Sequence, residues 1–522
     1  MEEEVPASVG IAELLAALSL GIDLGFSQPM EHVLRQCRIA LRIAEHLDVD
    51  EAGRAAVYYT ALLVNVGCHT DSYEQAQWFG DDIAMRATKY GHEPMSLGDI
   101  AAMLRLLGSG GTPLHRVRVA FDFATSGWKE VDGMIAGHAQ AARALGEELG
   151  LPDDVLAALA ASYERWDGHG YPGDLAGPEV PLVSRICQLA EFMEVAHRSG
   201  GVDAAVSVAQ RRSGKQFDPS MVAVVTADAE KVLHGLDEIG SWDAVIDAEP
   251  ALSHRLAPAE VDAALAAIGR FVDLKSPYTL GHSGAVADLA AGAAEAMGLA
   301  AAETRAVRRA GWVLGFGRLG VSNSIWDKPG PLSASQWERV RLHPYLTERM
   351  VSQSSVLAPV GRIAVQVRER LDGSGYPRGL SGASIGPPAR ILGVADAYQA
   401  MRERRPHRPA LDREEAGGEL RAEVQAGRLD GDAVDAVLGI AGHRVSRRRQ
   451  GPDGLTHREV EVVRLISRGC SNKQIALALG ISAKTAGTHV ENIYAKIGAS
   501  SRATASMYAV QPGLLPEYEG DA

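Results

Sequence analysis

Cys68-His69-Thr70-Asp71 places a thiol, an imidazole and a carboxylate within four residues, and His92-Glu93 follows downstream. Side chains of these types ligate zinc, iron or manganese when a fold gathers three or four of them. A relocated metal site here would show as bound metal in the purified protein. A second group of chemistry-bearing residues occurs twice. The stretch Glu164 to Gly177, centred on Asp167-Gly168-His169-Gly170-Tyr171-Pro172, matches Glu369 to Gly382, centred on Asp372-Gly373-Ser374-Gly375-Tyr376-Pro377, at an offset of 205 residues. His138 answers His343 and Glu191 answers Asp396 at that offset, whereas His32 answers His282 and Gly67 answers Gly317 at 250. The first copy therefore holds 45 extra residues between Cys68 and His138, and Tyr73 to Trp128 is the expected insertion.

Helices must position these groups. Val33 to Leu47 and Val286 to Met297 carry apolar residues at helical spacing, with Gly298 as a stop. The two Gly-Tyr-Pro segments are rich in Gly, Pro and Asp and read as loops between helices. Gly200-Gly201 and Pro250 break the pattern between the copies. The expected organisation is a first copy over 1–200, a connecting segment over 201–258 and a second copy over 259–443. A basic linker over 444–454 then leads to a small carboxyl-terminal domain over 455–516.

The repeated body resembles the HD-GYP family, all-helical metal-dependent phosphohydrolases whose usual substrate is cyclic di-GMP. The second copy carries the resemblance best, from Gly281-His282-Ser283 through Asp327-Lys328-Pro329-Gly330, His343-Pro344 and the Gly-Tyr-Pro loop to Ala395-Asp396-Ala397. The resemblance implies His and Asp ligands around two or three ions that bridge phosphate and activate a water. The family's own His-Asp pair lies in a segment like Leu-Leu-His-Asp-Ile-Gly-Lys. Here it reads Leu62-Leu63-Val64-Asn65-Val66-Gly67-Cys68 and Trp312-Val313-Leu314-Gly315-Phe316-Gly317-Arg318. The histidines that precede the Gly-Tyr-Pro loop are replaced by Ala161-Ser162-Tyr163 and Gln366-Val367-Arg368. At implied ligand positions there remain His32, His138 and Glu191, then His282, His343 and Asp396. Aliphatic side chains do not ligate, so no catalytic residue is assigned, and a divalent metal would bind only at a partial site. The loops at Asp167, Gly170, Tyr171 and Pro172, and at Asp372, Gly375, Tyr376 and Pro377, are the expected contacts for a nucleotide or other small ligand.

From Leu455 the tail resembles the LuxR/GerE helix-turn-helix. Thr456 and Glu459 form a capping box for a first helix, Val460, Val463, Leu465 and Ile466 give it an apolar face, and Gly469 ends it. A scaffold helix follows from Ser471, then a turn at Gly480-Ile481, and Ser482 caps a third helix to about Ile497. Val490, Ile493 and Ile497 face its core, while Lys484, Thr485, Gly487, Thr488, His489 and Asn492 are the expected groove contacts. Lys473, Lys496 and Arg502 are suited to phosphates. Between Arg444 and Gln511 eleven Lys and Arg stand against four Asp and Glu, in a chain of net charge −14. An acidic body with a basic tail fits a protein whose tail alone approaches nucleic acid.

The expected fold class is all-α: two HD-GYP-like helical domains followed by a four-helix LuxR-type domain. At 522 residues the chain exceeds one core, and 46% hydrophobic with 23% charged residues is a globular balance. Its scattered cysteines, acidic start and lack of long apolar runs lead to a cytoplasmic expectation without membrane partners. The leading expectation is a homodimeric transcription regulator on double-stranded DNA, with the body as a sensory or dimerising part. The alternatives are a cyclic di-GMP phosphodiesterase with a DNA-binding tail and a purely architectural DNA-binding dimer.

Overall fold

The computed structural model describes residues 9–91, 103–109, 111–236, 241–250, 255–444, 455–479 and 481–508. The all-α expectation holds. Among the described residues the strands are Val9–Gly10 and Arg255–Leu256, paired antiparallel with Val9 opposite Leu256. The chain divides into two compact units, Met1–His443 and Arg444–Ala522.

Within the first unit the repeat is visible helix by helix. Helices Ile11–Gly25, His32–His46 and Glu51–Leu63 are matched by Pro258–Asp273, His282–Ala296 and Ala301–Val313. Leu14, Leu15 and Leu18 are fully buried, and each such side chain contributes about 1.5–3 kcal/mol by leaving water. Asp23 accepts from the Val33 N–H at 3.0 Å, and Asp273 accepts from the Ser283 N–H at 2.8 Å. Each carboxylate thus satisfies a free donor in the first turn of the next helix.

The surroundings of Gly67 and Gly317 explain why glycine recurs at this point of each copy. A Cβ on Gly67 would fall 2.1 Å from the His138 carbonyl oxygen, and one on Gly317 would fall 1.9 Å from that of His343. The helices that carry those histidines, Trp128–Glu148 and Ala334–Val351, approach so closely that no side chain fits between. Both Gly-Tyr-Pro loops are tied down by a glutamate. Glu164 accepts from the N–H groups of Gly173 and Asp174 at 3.1 and 2.9 Å, and Glu369 accepts from Arg378 and Leu380 at 2.7 and 2.9 Å.

The expected insertion contains helices Ser72–Phe79, Asp82–Ala87 and Pro113–Asp122, with a small core of Phe79, Met103, Leu107, Val119 and Phe123. His92-Glu93 lies outside the described residues. Helix Leu182–Arg211 breaks at Gly200 and Gly201, the latter with φ 70°. The stretch 201–258 contains further helices, Pro219–Ala227 among them. There Arg185 pairs with Asp218 at 2.5 Å, as Arg390 pairs with Asp430 at 2.8 Å in the other copy.

In the second unit, helices His457–Ser467, Asn472–Leu479, Ala483–Ile497 and Arg502–Tyr508 enclose a core that includes Val462, Val463, Ile466, Ile475, Val490 and Ile493. Leu465 and Ile497 are partly buried against it. Thr456 and Glu459 form the capping box, and Ser482 accepts from the Thr485 N–H at 3.0 Å. Gly469, at φ 80°, follows the first helix in the left-handed conformation that glycine adopts most readily. Gly480 and the linker residues 445–454 lie outside the described residues.

Candidate functional sites

In the first copy, Glu191 is buried on helix Leu182–Arg211 and its Oε1 accepts three hydrogen bonds. Asn65 donates at 2.7 Å, Lys89 at 2.6 Å and the Tyr90 hydroxyl at 2.8 Å. Lys89 also donates to the Asn65 side-chain oxygen at 2.9 Å. Its ammonium lies 5.6 Å from the ring centres of Phe26 and Tyr163, a cation–π arrangement. Burial pushes the Glu191 carboxyl up, but Lys89, with His32 and Asn65, holds it below the usual carboxylate range. Lys89 comes from the insertion, and no local sequence signal marks it.

His32 does not turn to Glu191 for its hydrogen bond. Its Nδ1 contacts Glu194, which Arg35 also holds at 2.8 Å. His138 pairs through Nε2 with Asp71 at 2.9 Å and faces the Cys68 thiol. Burial would lower the His138 imidazole, yet Cys68 and Asp71 raise it to about 10. Burial also pushes the Cys68 thiol up, but His138 and Lys89 outweigh it and hold it below the usual thiol range. Of the Cys68-to-Asp71 cluster, Cys68 and Asp71 therefore meet around His138. His69 instead contacts the carbonyls of Val66 and Phe271 at 2.7 and 2.8 Å.

The second copy solves the same problem with other residues. Asp396 is fully buried; Arg368 approaches its Oδ2 at 2.9 Å, His282 Nε2 its Oδ1 at 3.1 Å, and Arg318 its Oδ1 at 3.9 Å. His282 Nδ1 reaches Glu403 at 2.9 Å. His343 donates from Nδ1 to the Val340 carbonyl at 2.7 Å, so Nε2 presents a lone pair. Burial holds this imidazole down at about 3. Arg318 and Arg368 occupy the positions of Cys68 and Tyr163, which themselves lie 2.8 Å apart. Among the described residues, no three of His, Cys, Asp and Glu are placed to hold a metal ion together.

Asp167 accepts from the His169 N–H at 3.1 Å, and Asp372 from the Ser374 N–H at 3.0 Å, so both close their own turns. Gly170-Tyr171-Pro172 and Gly375-Tyr376-Pro377 follow with a cis Tyr-Pro bond in each. The Tyr376 ring stands 6.2 Å from His343, which brings that loop to the Asp396 cluster.

On the tail, Lys484, Thr485, Thr488 and Asn492 are exposed along one side of helix Ala483–Ile497, and Ala486, Val490 and Ile493 are buried on the other. Gly487 and His489 are half-buried, and Lys473 is exposed on the preceding helix. A Cβ on Gly487 would meet Asn472 Nδ2 at an ordinary 3.7 Å, so the module's packing does not demand glycine. Lys496 donates to Glu459 at 2.8 Å. Arg502 donates to the Asn472 side-chain oxygen at 3.0 Å and to the Cys470 carbonyl. These two cations brace the module as well as facing its surface.

Residues 122–221 and 267–433 match the family described as "HD domain", and residues 453–509 match "Bacterial regulatory proteins, luxR family". The chain is 31% identical over 405 residues to 3'3'-cGAMP-specific phosphodiesterase 3 of Vibrio cholerae serotype O1, covering 77% of this chain and 88% of that protein. It is 32% identical over 177 residues to a cyclic di-GMP phosphodiesterase response regulator of Xanthomonas campestris pv. campestris, covering 33% and 46% respectively. A crystal structure of a cyclic GMP-AMP-specific phosphodiesterase from V. cholerae superposes with a TM-score of 0.58 at 26% identity, over 84% of this chain and 99% of that one. No helix among the described residues is long and apolar enough to cross a membrane.

Proposed function

The chain belongs to the HD-domain family and carries a luxR-family module at its carboxyl end, and from that premise we propose that it is a DNA-binding transcription regulator whose HD-type body senses or dimerises rather than hydrolyses. One observation carries the choice of regulator over hydrolase. In each copy, a cation of the chain itself sits against the carboxylate that would hold metal: Lys89 on Glu191, and Arg368 on Asp396. An ammonium or guanidinium has no lone pair for a metal, and its charge repels a divalent ion at this range. Val64 and Leu314 add no donor, so the residues present do not fit the metal cluster of the family.

The tail supplies the output. Lys484, Thr485, Thr488 and Asn492 offer donors and acceptors to base edges, and Gly487 lets the helix approach closely. Lys473, with Lys496 and Arg502 where they are released from their internal partners, adds phosphate contacts. Two half-sites require two tails, so the working unit is a homodimer. Selection of genomic fragments by the full-length protein tests this reading. An enriched inverted repeat with two protected half-sites is expected; no preferred site would overturn it.

The second reading, a metal-dependent phosphodiesterase with a DNA-binding tail, draws on the relatives being cyclic-dinucleotide phosphodiesterases. It requires a metal set that the copies would have to build around Lys89 and Arg368.

A further inference from the structure

The cations of the two copies are not equally used. Lys89 reaches two acceptors and sits among aromatic faces. Arg318 is buried, at 5% exposure, and its closest carboxylate contact is 3.9 Å from Asp396. Its Nε and Nη1 donate to no acceptor of the protein, and neither does Nε of Arg368. Buried guanidinium donors are costly to leave unmatched, so native structures pair them with protein, water or a bound anion.

We propose that Arg318 and Arg368 form an anion site in the second copy that binds a phosphoryl group directly, without a metal ion. The inference rests on the reading above that the chain's own cations replace metal. Arg318, Arg368 and Arg405 gather among the carboxyls of Asp396, Glu403 and Asp273, so it is the unmatched guanidinium donors, not an excess of positive charge, that call for an anion. The chemistry also favours phosphate. A planar guanidinium presents parallel N–H donors that match phosphoryl oxygens in pairs. Trp326, half-buried, lies over Arg318 with 5.5 Å between guanidinium and ring centre, and so fixes the plane of the fork. Arg368, with its side chain 22% exposed, provides the edge nearest solvent. The first copy has Cys68 and Tyr163 at these positions and no counterpart of the site.

Calorimetry on the full-length protein in EDTA tests the proposal, with inorganic phosphate and cyclic di-GMP as separate probes. Binding of at least one probe is expected, weakened about tenfold or more by Arg318→Met and less by Arg318→Lys, which keeps charge without the fork. Arg368→Gln serves as a second variant should Arg318→Met fail to fold. Binding of phosphate alone identifies a free anion as the ligand, and binding of cyclic di-GMP identifies a phosphodiester. Binding that arises only after manganese is added would overturn the proposal together with the metal-free reading of the body. Absence of binding with and without manganese, or affinity unchanged in both variants, would overturn the anion site alone. DNA selection on the same preparations reports separately on the tail.

Discussion

The Lys89 ammonium lies 2.6 Å from the Glu191 carboxylate across 102 positions of sequence. An insertion present in one copy only thus delivers an amine to the buried carboxylate at the centre of that copy's fold. The pair is an internal counterion arrangement, and its removal should be felt as electrostatics more than as lost packing.

Lys89→Met should therefore destabilise the body by about 2 kcal/mol, because Glu191 is left ionised and buried with less compensation. The double variant Lys89→Met, Glu191→Gln should recover most of that loss. Urea unfolding of the full chain, followed by circular dichroism, checks both values. A double variant no more stable than the single one would show that Lys89 acts through packing.

Asp82 ties the insertion to the second copy: it accepts from Ser322 and the Asn323 N–H at 2.6 and 2.8 Å, and it pairs with Arg86 and Lys275. Burial would raise its carboxyl, but Lys275 and Arg86 bring it down to about 2. Its folded value is below the unfolded one of about 3.9, so its stabilisation is present above that pH and is lost as pH falls through about 2. Asp82→Asn should lower stability at neutral pH by about 3 kcal/mol, by leaving Arg86 and Lys275 unmatched. It should also flatten the acid limb of a stability–pH curve, and an unchanged acid limb would contradict the assignment.

Gly487→Ala separates folding from recognition. An exposed helix gains up to about 1 kcal/mol from the change, and the new Cβ meets only Asn472 at 3.7 Å. Thermal unfolding should rise while specific DNA affinity falls, since the methyl group stands between helix and groove. Raised stability with undiminished affinity would place the DNA on another face.

Lys484→Ala and Thr488→Ala should reduce discrimination between operator and random DNA, by about 1–3 kcal/mol for a base contact. Lys496→Ala should act differently, because its amine also neutralises Glu459 at 2.8 Å. It should lower the stability of the module and weaken both classes of DNA. Gel shifts over a salt series, read beside melting curves, distinguish the two behaviours.

Local features were the legible ones. Thr456 with Glu459, and Ser482 ahead of its helix, act within three residues of themselves, and the third helix spans Ala483–Ile497 as its pattern requires. Gly67 and Gly317 were legible as anchors, but their reason, a carbonyl oxygen about 2 Å from any added Cβ, belongs to packing between distant helices. Lys89 gave no signal, since one lysine in an insertion is ordinarily a solvated charge. Arg318 and Arg368 stood out as replacements, whereas their convergence on Asp396 depends on three segments meeting. The pairing of Lys496 with Glu459 is hidden likewise, because the glutamate already had a role in the capping box.

Metal content is the most direct test of the body. Protein purified without chelator from cells supplied with manganese, iron and zinc, then dialysed and measured by elemental mass spectrometry, should hold less than about one-tenth of an ion per chain. One or more tightly held ions per chain would mean that the lysine and arginines yield their places to metal, and the hydrolase would become the better description.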